Sequence, residues 1–260
     1  MSVADPVPSL ERRREQILAY LSAHDRTSVV ELSQVLGVSE VTVRKDLDQL
    51  EGQGLLTRVH GGALISGRGR LERFFAAREQ EHLEEKRRIA QRAAALIQSG
   101  QRIFLDASTT ALQVAHLIKD REDLVVITNG IYTALELTFC PDITTIVVGG
   151  IVRYRSCSLV GSFNYSSLQR LRLDLGFFGA RAVTARDGLM EADLDEAQLK
   201  QLLVGECAAV VGIVDSSKFD DMSFSVFALP PEIDRIITDT RLAPATVADL
   251  RRGGIIVDLV

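Results

Sequence analysis

Three things are scarce in this chain of 260 residues, and each scarcity narrows what it can be. Positive charge is not in excess: 30 Lys and Arg stand against 35 Asp and Glu, a formal net charge of −5. A protein that coats nucleic acid carries a basic surplus. Contact with a polyanion must therefore be local, on one face of a small module within an otherwise acidic molecule. Cysteine is rare too, and Cys140, Cys157 and Cys207 are scattered without metal-ligand spacing. An odd number of separated thiols with no secretory prefix fits reduced side chains in a cytosol, so the expectation is a cytoplasmic protein with no metal site and no cofactor. Finally, no apolar run approaches the roughly 18 residues that cross a bilayer. Met1–Ser9 is short and Pro-containing, and is expected to be disordered. What is plentiful is apolar residues, 46% of the chain with a mean hydropathy of +0.12, enough for one large core and one small one.

The stretch from Ser39 to Ala63 organises the rest. Ser39 suits an N-cap, because its hydroxyl can accept from an unpaired backbone N–H in the first turn that follows. Val43, Leu47 and Leu50 fall at i, i+4 and i+7, one apolar face, which leaves Glu40, Thr42, Arg44, Lys45 and Asp48 on the remainder. Gly52 and Gly54 end this helix. Leu55–His60 then reads as a strand that turns at Gly61-Gly62 and returns through Ala63–Ile65. Taken alone, an amphipathic helix with basic residues is most often a solvated helix. Upstream, however, Leu10–Ala23 carries Ile17, Leu18 and Leu21 at helical spacing, and Val30–Leu36 is a second short helix broken by Gly37. Helix, helix, tight turn, helix and hairpin is the order of a winged helix-turn-helix, whose last helix enters the major groove of DNA.

These residues resemble the DeoR family of bacterial transcriptional regulators. The likeness is carried by Arg13 and Ile17, Glu31-Leu32, Val38-Ser39, Thr42-Val43-Arg44-Lys45-Asp46-Leu47, Leu50-Glu51, Gly54 and Arg58-Val59-His60-Gly61-Gly62-Ala63. It implies that Ser39, Thr42, Arg44 and Lys45 face duplex operator DNA, with Arg58 and His60 on the wing. The family usually has Arg where this chain has Lys45, which keeps the charge and loses a bidentate fork.

Ser66–Arg70 is glycine-rich and basic and reads as a linker. The predicted division is a DNA-binding domain over 1–65, a linker over 66–80 and an α/β domain over 81–260. Arg73–Gln98 is predicted as one helix, with Glu81, Glu84, Glu85, Lys86, Arg87 and Arg88 outside and Ile89, Ala93, Leu96 and Ile97 inward. Apolar strands then alternate with helices. The strands are Arg102–Leu105, Leu124–Thr128, Thr144–Val148, Leu173–Phe178, Ala208–Val214, Arg235–Thr238 and Ile255–Leu259; the helices include Thr110–Ile118, Ile131–Leu137, Ser162–Leu171, Asp193–Cys207 and Pro244–Arg252. Such alternation predicts a doubly wound, mostly parallel α/β sheet with its ligand outside the carboxyl ends of the strands.

Polar residues collect at those ends. Asp106-Ala107-Ser108-Thr109-Thr110 runs from the first strand into a helix, where hydroxyls, backbone N–H groups and a positive helix end suit a phosphate. The plainer reading makes Thr109 or Thr110 an N-cap. Thr128-Asn129-Gly130, Gly149-Gly150 with Arg153, Gly161, Gly179-Ala180 and Asp215–Lys218 also stand where strands stop. The same blocks resemble the C-terminal domain of the DeoR family, similar in fold to sugar-phosphate isomerases and binding phosphorylated sugars as effectors. By that resemblance Asp106, Ser108, Thr109, Thr110, Asn129, Gly150, Arg153 and Lys218 are effector-site candidates, Lys218 as a point charge and Arg153 as a clamp. Many relatives carry Gly where Ser108 stands.

The expected function is a repressor of a carbohydrate operon, a homo-dimer or tetramer released from its operator by a sugar phosphate. An activator with the same head is an alternative. A rival from another class is a sugar-phosphate isomerase or deaminase, for which Glu191 would be the base. The plainer reading of Asp187, Glu191, Asp193, Asp195 and Glu196 is a charged loop and the first turn of a helix.

Overall fold

The computed structural model describes residues 10–24, 26–66, 75–161, 165–219 and 221–260, and its contacts divide the chain into two compact units, Met1–Ala77 and Arg78–Val260. Met1–Ser9 and most of the glycine-rich stretch after Ser66 lie outside the described residues.

In the first unit, α1 (Leu10–His24), α2 (Val29–Leu36) and α3 (Glu40–Gly52) enclose a core that includes Ile17, Leu21, Leu32, Val43, Leu47 and Leu50. Ser28 caps α2 by a reciprocal box: its hydroxyl accepts from Glu31 N at 3.1 Å, and the Glu31 carboxylate accepts from Ser28 N at 3.4 Å. Gly37, at φ +65°, ends the helix in the left-handed conformation that glycine adopts without strain. Ser39 does cap α3, accepting from Thr42 N at 3.2 Å. The hairpin of β2 (Leu56–Val59) and β3 (Gly62–Ile65) is present, and a strand not predicted from the sequence, β1 (Arg26–Ser28), joins its open side in the order β1-β3-β2. Gly62 is required there, since a Cβ would stand 2.1 Å from the Thr27 carbonyl oxygen.

In the second unit all seven predicted strands form one parallel sheet. They are β4 (Arg102–Leu105), β5 (Leu124–Thr128), β6 (Ile143–Val147), β9 (Leu175–Phe178), β12 (Val210–Ile213), β14 (Arg235–Thr238) and β15 (Ile256–Leu259), in the order β15-β14-β12-β9-β4-β5-β6. Both faces are covered. Ile103, Leu105, Phe177 and Ile237 belong to one core with α4 (Leu83–Ala94) and α5 (Thr109–Leu117), whereas their neighbours Phe104, Phe178 and Ile236 belong to another with α8 (Leu194–Val204) and α9 (Pro244–Arg252). Two short helices are also present, α6 (Ile131–Leu137) and α7 (Tyr165–Leu168). Residues 162–164 of the predicted Ser162–Leu171 helix lie outside the described residues.

Outside the main sheet stand a hairpin of β7 (Ile151–Arg153) with β8 (Ser158–Val160) and an antiparallel group of β10 (Ala182–Thr184), β11 (Gly188–Glu191) and β13 (Ser225–Ala228). The sheet's winding reverses at β4, which runs on to β5 and β6 on one side and borders β9 on the other. A crevice opens at such a reversal, beyond the strands' carboxyl ends.

One predicted element is corrected. The helix expected to run unbroken over Arg73–Gln98 is helical over 75–80, breaks at 81–82 and resumes as α4. His82 sits at φ +54°, which no intrahelical residue adopts. The break exposes carbonyls that Lys86 satisfies: its ammonium donates to Arg78 O and to Glu81 O, the latter at 2.5 Å. Lys86 is therefore buried rather than on the outer face.

Candidate functional site

The first candidate surface is α3 and the hairpin after it. Val43, Asp46, Leu47 and Leu50 are buried at i, i+3, i+4 and i+7, while Val41, Arg44, Lys45 and Asp48 repeat that spacing on the exposed side. Arg44 holds Glu40 at 2.7 Å, an exposed i,i+4 pair worth only about 0.3–0.5 kcal/mol and easily exchanged for another anion. Thr42 Oγ1 lies 2.9 Å from Ser39 Oγ. Arg58 Nη1 is 3.7 Å from Asp48, and its backbone N–H donates to Glu51, tying the wing to α3. His60 is exposed at the turn. Val41, more than half exposed, was not singled out from the sequence; an exposed apolar side chain beside the helix start has the chemistry for contact with a thymine methyl. Asp46, within the same motif, has a structural part. It is buried and takes Arg13 Nε at 2.5 Å and Nη2 at 3.2 Å, with Arg14 Nε at 3.5 Å.

The second candidate site lies beyond the carboxyl ends of β4, β9 and β12, a cavity of about 550 Å³. Its lining brings together five of the predicted effector residues: Ser108, Thr109, Thr110, Arg153 and Lys218. The N-cap of α5 is Ser108, neither Thr109 nor Thr110: its hydroxyl accepts from Ala111 N at 3.1 Å. A side chain at 108 is thus spent on the helix end. Thr109 Oγ1 reaches Arg78 O at 3.5 Å. Thr110, 5% exposed, lines the cavity with no partner for its hydroxyl among the described residues. Lys218 closes a short 3₁₀ turn whose cap is Asp215, and Arg153 comes from β7 and pairs with Asp193 and, at 3.5 Å, Asp195.

Three predicted residues are not in the lining. Asp106 stands behind it, fully buried, and accepts from Ser108 N at 3.0 Å, Gly179 N at 2.8 Å and Lys200 Nζ at 2.8 Å. It joins the ends of β4 and β9 to α8. Asn129 is buried, donates to Leu159 O at 3.3 Å and leaves its Oδ1 without a partner among the described residues. Gly150 is a close approach, where a Cβ would lie 2.1 Å from Val160 O in the adjoining hairpin.

Residues that the sequence reading missed complete the wall: Arg78, Lys86, Arg155, Ser156, Arg181, Glu196 and Lys200. Lys200 is 3% exposed and gives its three protons to Asp106, to Glu191 Oε1 at 2.6 Å and to Gly179 O at 2.8 Å. Burial alone would depress its pKa, but the charges of Asp106, Glu191 and Glu196 outweigh burial and hold it above the ordinary lysine value. Burial raises the Glu191 carboxyl in spite of Lys200. Glu191 therefore does not decorate a loop; it is one arm of this network. Asp193 is the N-cap of α8, and Asp195 and Glu196 occupy its first turn, as expected at a positive helix end. Burial lowers the Lys86 ammonium, opposed by Asp215. Among the described residues no cluster of His, Cys, Asp and Glu could hold a metal ion, and no helix is long and apolar enough to cross a membrane.

A winged helix-turn-helix in the same chain as a doubly wound domain with a polar cavity defines a DNA-binding regulator with a separate receptor-like half. Residues 13–68 match the model of the DeoR-like helix-turn-helix domain and residues 81–240 that of the DeoR C terminal sensor domain. The chain belongs to the DeoR family of HTH-type transcriptional regulators. It is 37% identical to the regulator GlpR of Haloferax volcanii over 94% of this chain and 96% of that one. It is 35% identical to GolR of Listeria innocua over 95% and 97%, and 34% identical to a putative aga operon transcriptional repressor of Escherichia coli O157:H7 over 98% and 95%. Among solved structures, a ribose-5-phosphate isomerase in complex with phospho-erythronic acid is similar at a TM-score of 0.41 and 17% identity over 53% of this chain and 54% of that one, too loose a likeness to carry function.

Proposed function

We propose that the protein represses an operon of carbohydrate metabolism and leaves its operator when a phosphorylated sugar fills the cavity of the second unit. The observation that carries this is the cavity itself: at the sheet's reversal point, the N-terminal end of α5 with the unpartnered Thr110 hydroxyl faces a wall that includes Lys218, Lys86 and Arg78. Backbone N–H groups, a hydroxyl and cations around a positive helix end make up a phosphate receptor. The repressing sign is supported by the aga operon repressor's name, and the relatives' designation as regulators favours sensing over turnover. Glu191, the carboxylate an isomerase would use as base, is held by Lys200.

On the DNA side, Ser39, Thr42, Arg44 and Lys45, with Val41 beside them, enter the major groove, and Arg58 and His60 reach the flanking backbone. A dimer or tetramer sets two such helices on half-sites about 34 Å apart, and the ligand favours the state in which that spacing is lost. No cofactor takes part, and the protein acts in the cytoplasm. Selection of bound sequences from random duplex DNA tests the whole reading when repeated with phosphorylated sugars present. A preferred site that is released by one of them supports it. Enrichment of no site, or product formed from the sugar phosphate, refutes it.

A further inference from the structure

The cavity wall is electrically divided. Lys86 sits among Lys218, Arg78, Asp215 and Glu81, a group with a cationic surplus. Around α8, Glu191 and Glu196 in the lining and Asp106 behind it surround the ammonium of Lys200, whose protons are all taken, while the guanidinium of Arg153 is held by Asp193 and Asp195. Glu196 is the member with something left over. It is 7% exposed, lines the cavity, and takes Ser158 Oγ on its Oε1 at 2.6 Å, while Ser158 Oγ lies 2.8 Å from Ser156 Oγ. Ser158 is fully buried on β8, so this bond sets the orientation of the carboxylate. Among the described residues nothing donates to Glu196 Oε2. A carboxylate is only an acceptor, and one this buried is costly unless a donor reaches it.

We propose that Glu196 is a specificity-determining residue: its free oxygen accepts a hydrogen bond from a ligand hydroxyl at the end away from the phosphate. The acidic side thereby rejects ligands with a second anionic group there, such as bisphosphates and phosphorylated sugar acids. This rests on the reading of the cavity as a phosphorylated-sugar site, and deepens it by assigning the opposite pole.

The test is calorimetric titration of the full-length wild type, Glu196→Gln and Glu196→Asp. The probes are inorganic phosphate and three matched pairs: glycerol 3-phosphate with 3-phosphoglycerate, fructose 6-phosphate with fructose 1,6-bisphosphate, and glucose 6-phosphate with 6-phosphogluconate. In the wild type at least one neutral-ended monophosphate should bind more tightly than inorganic phosphate and exceed its anionic counterpart by about tenfold or more. Glu196→Gln should weaken that monophosphate about 10- to 100-fold, the worth of a hydrogen bond to a charged group, and bring the counterpart closer to it. Glu196→Asp, which keeps the charge and shortens the reach, should lose the monophosphate yet still reject the counterpart. It carries the test if the Gln variant does not fold. Unchanged affinity for inorganic phosphate in the variants marks the effect as local. A discrimination ratio that does not move in either variant overturns the assignment of Glu196 and leaves the phosphate site standing. Failure of every pair to surpass inorganic phosphate in the wild type overturns both.

Discussion

Asp46→Ala in the first unit offers a demanding check, because the residue lies in the middle of the DNA-facing motif yet points the other way. Its carboxylate is 2% exposed and accepts two hydrogen bonds from Arg13, itself 9% exposed, with Arg14 close by. Removing one partner of a buried pair costs about 3–5 kcal/mol, because it strands the other charge. Arg14, at 3.5 Å, is only partly buried, so a value in the lower half of that range is expected. A unit of this size has only about 3–8 kcal/mol to lose at typical per-residue stabilities. Hydrogen exchange read by mass spectrometry on the full-length protein measures this directly in peptides from α1 and α3. Their amides should exchange about a hundredfold faster or more, at about 1.4 kcal/mol per decade, while peptides from β4, β9 and β12 stay unchanged. Operator binding should fall with it, though not through a lost DNA contact. Arg13→Met combined with Asp46→Leu should recover most of the protection, since apolar residues of similar volume replace such a pair at little cost. A change under about fivefold in the α3 peptides would refute the reasoning, because it would mean that the pair stabilises no more than an exposed one.

Arg44→Ala should lower operator affinity by about 1–3 kcal/mol in an anisotropy titration if the side chain reads a base, with stability changed by less than about 0.5 kcal/mol because its partner Glu40 is exposed. Gly62→Ala should destabilise the wing by about 1–3 kcal/mol in thermal unfolding, since the new Cβ meets the Thr27 carbonyl at 2.1 Å and forces β1 away from β3. Burial works against ionisation of Asp239, but bonds from Ser216 N at 2.7 Å and from Arg241 Nε and N at 3.0 Å outweigh it and hold the pKa below the ordinary carboxylate value. A depressed carboxylate stabilises the fold above its unfolded value of about 3.9 and ceases to do so as pH falls through the folded value. Asp239→Asn should therefore lower the second unit's melting temperature at pH 7 and flatten its acid limb below about pH 4.

The inner strands of the main sheet were legible because a strand buried on both faces is apolar at consecutive positions, as Leu124–Ile127 and Val210-Val211 are, and helices separate them. The outer strands were not legible for the converse reason. Residues 26–28 are Arg, Thr and Ser with one side chain buried, and nothing in such a triplet distinguishes a strand from a turn. The break at His82 carries no Gly or Pro, so the helical pattern runs through it unmarked. Lys86 then follows from the same oversight, since its burial depends on carbonyls that only the break sets free. In the cavity, position was legible and assignment was not. Strand ends marked where polar residues converge, but which hydroxyl caps α5 and which remains available is decided by backbone geometry within a single turn, and it fell to Ser108 and Thr110 respectively. Lys200 shows the limit most clearly. On its helix it is one more polar residue, and it becomes the centre of a buried network because Asp106 and Glu191 arrive from strands that the order of the sheet, and not the spacing of the sequence, brings beside it. A buried charge is legible only with its partners, and partners drawn from different strands are a property of the topology.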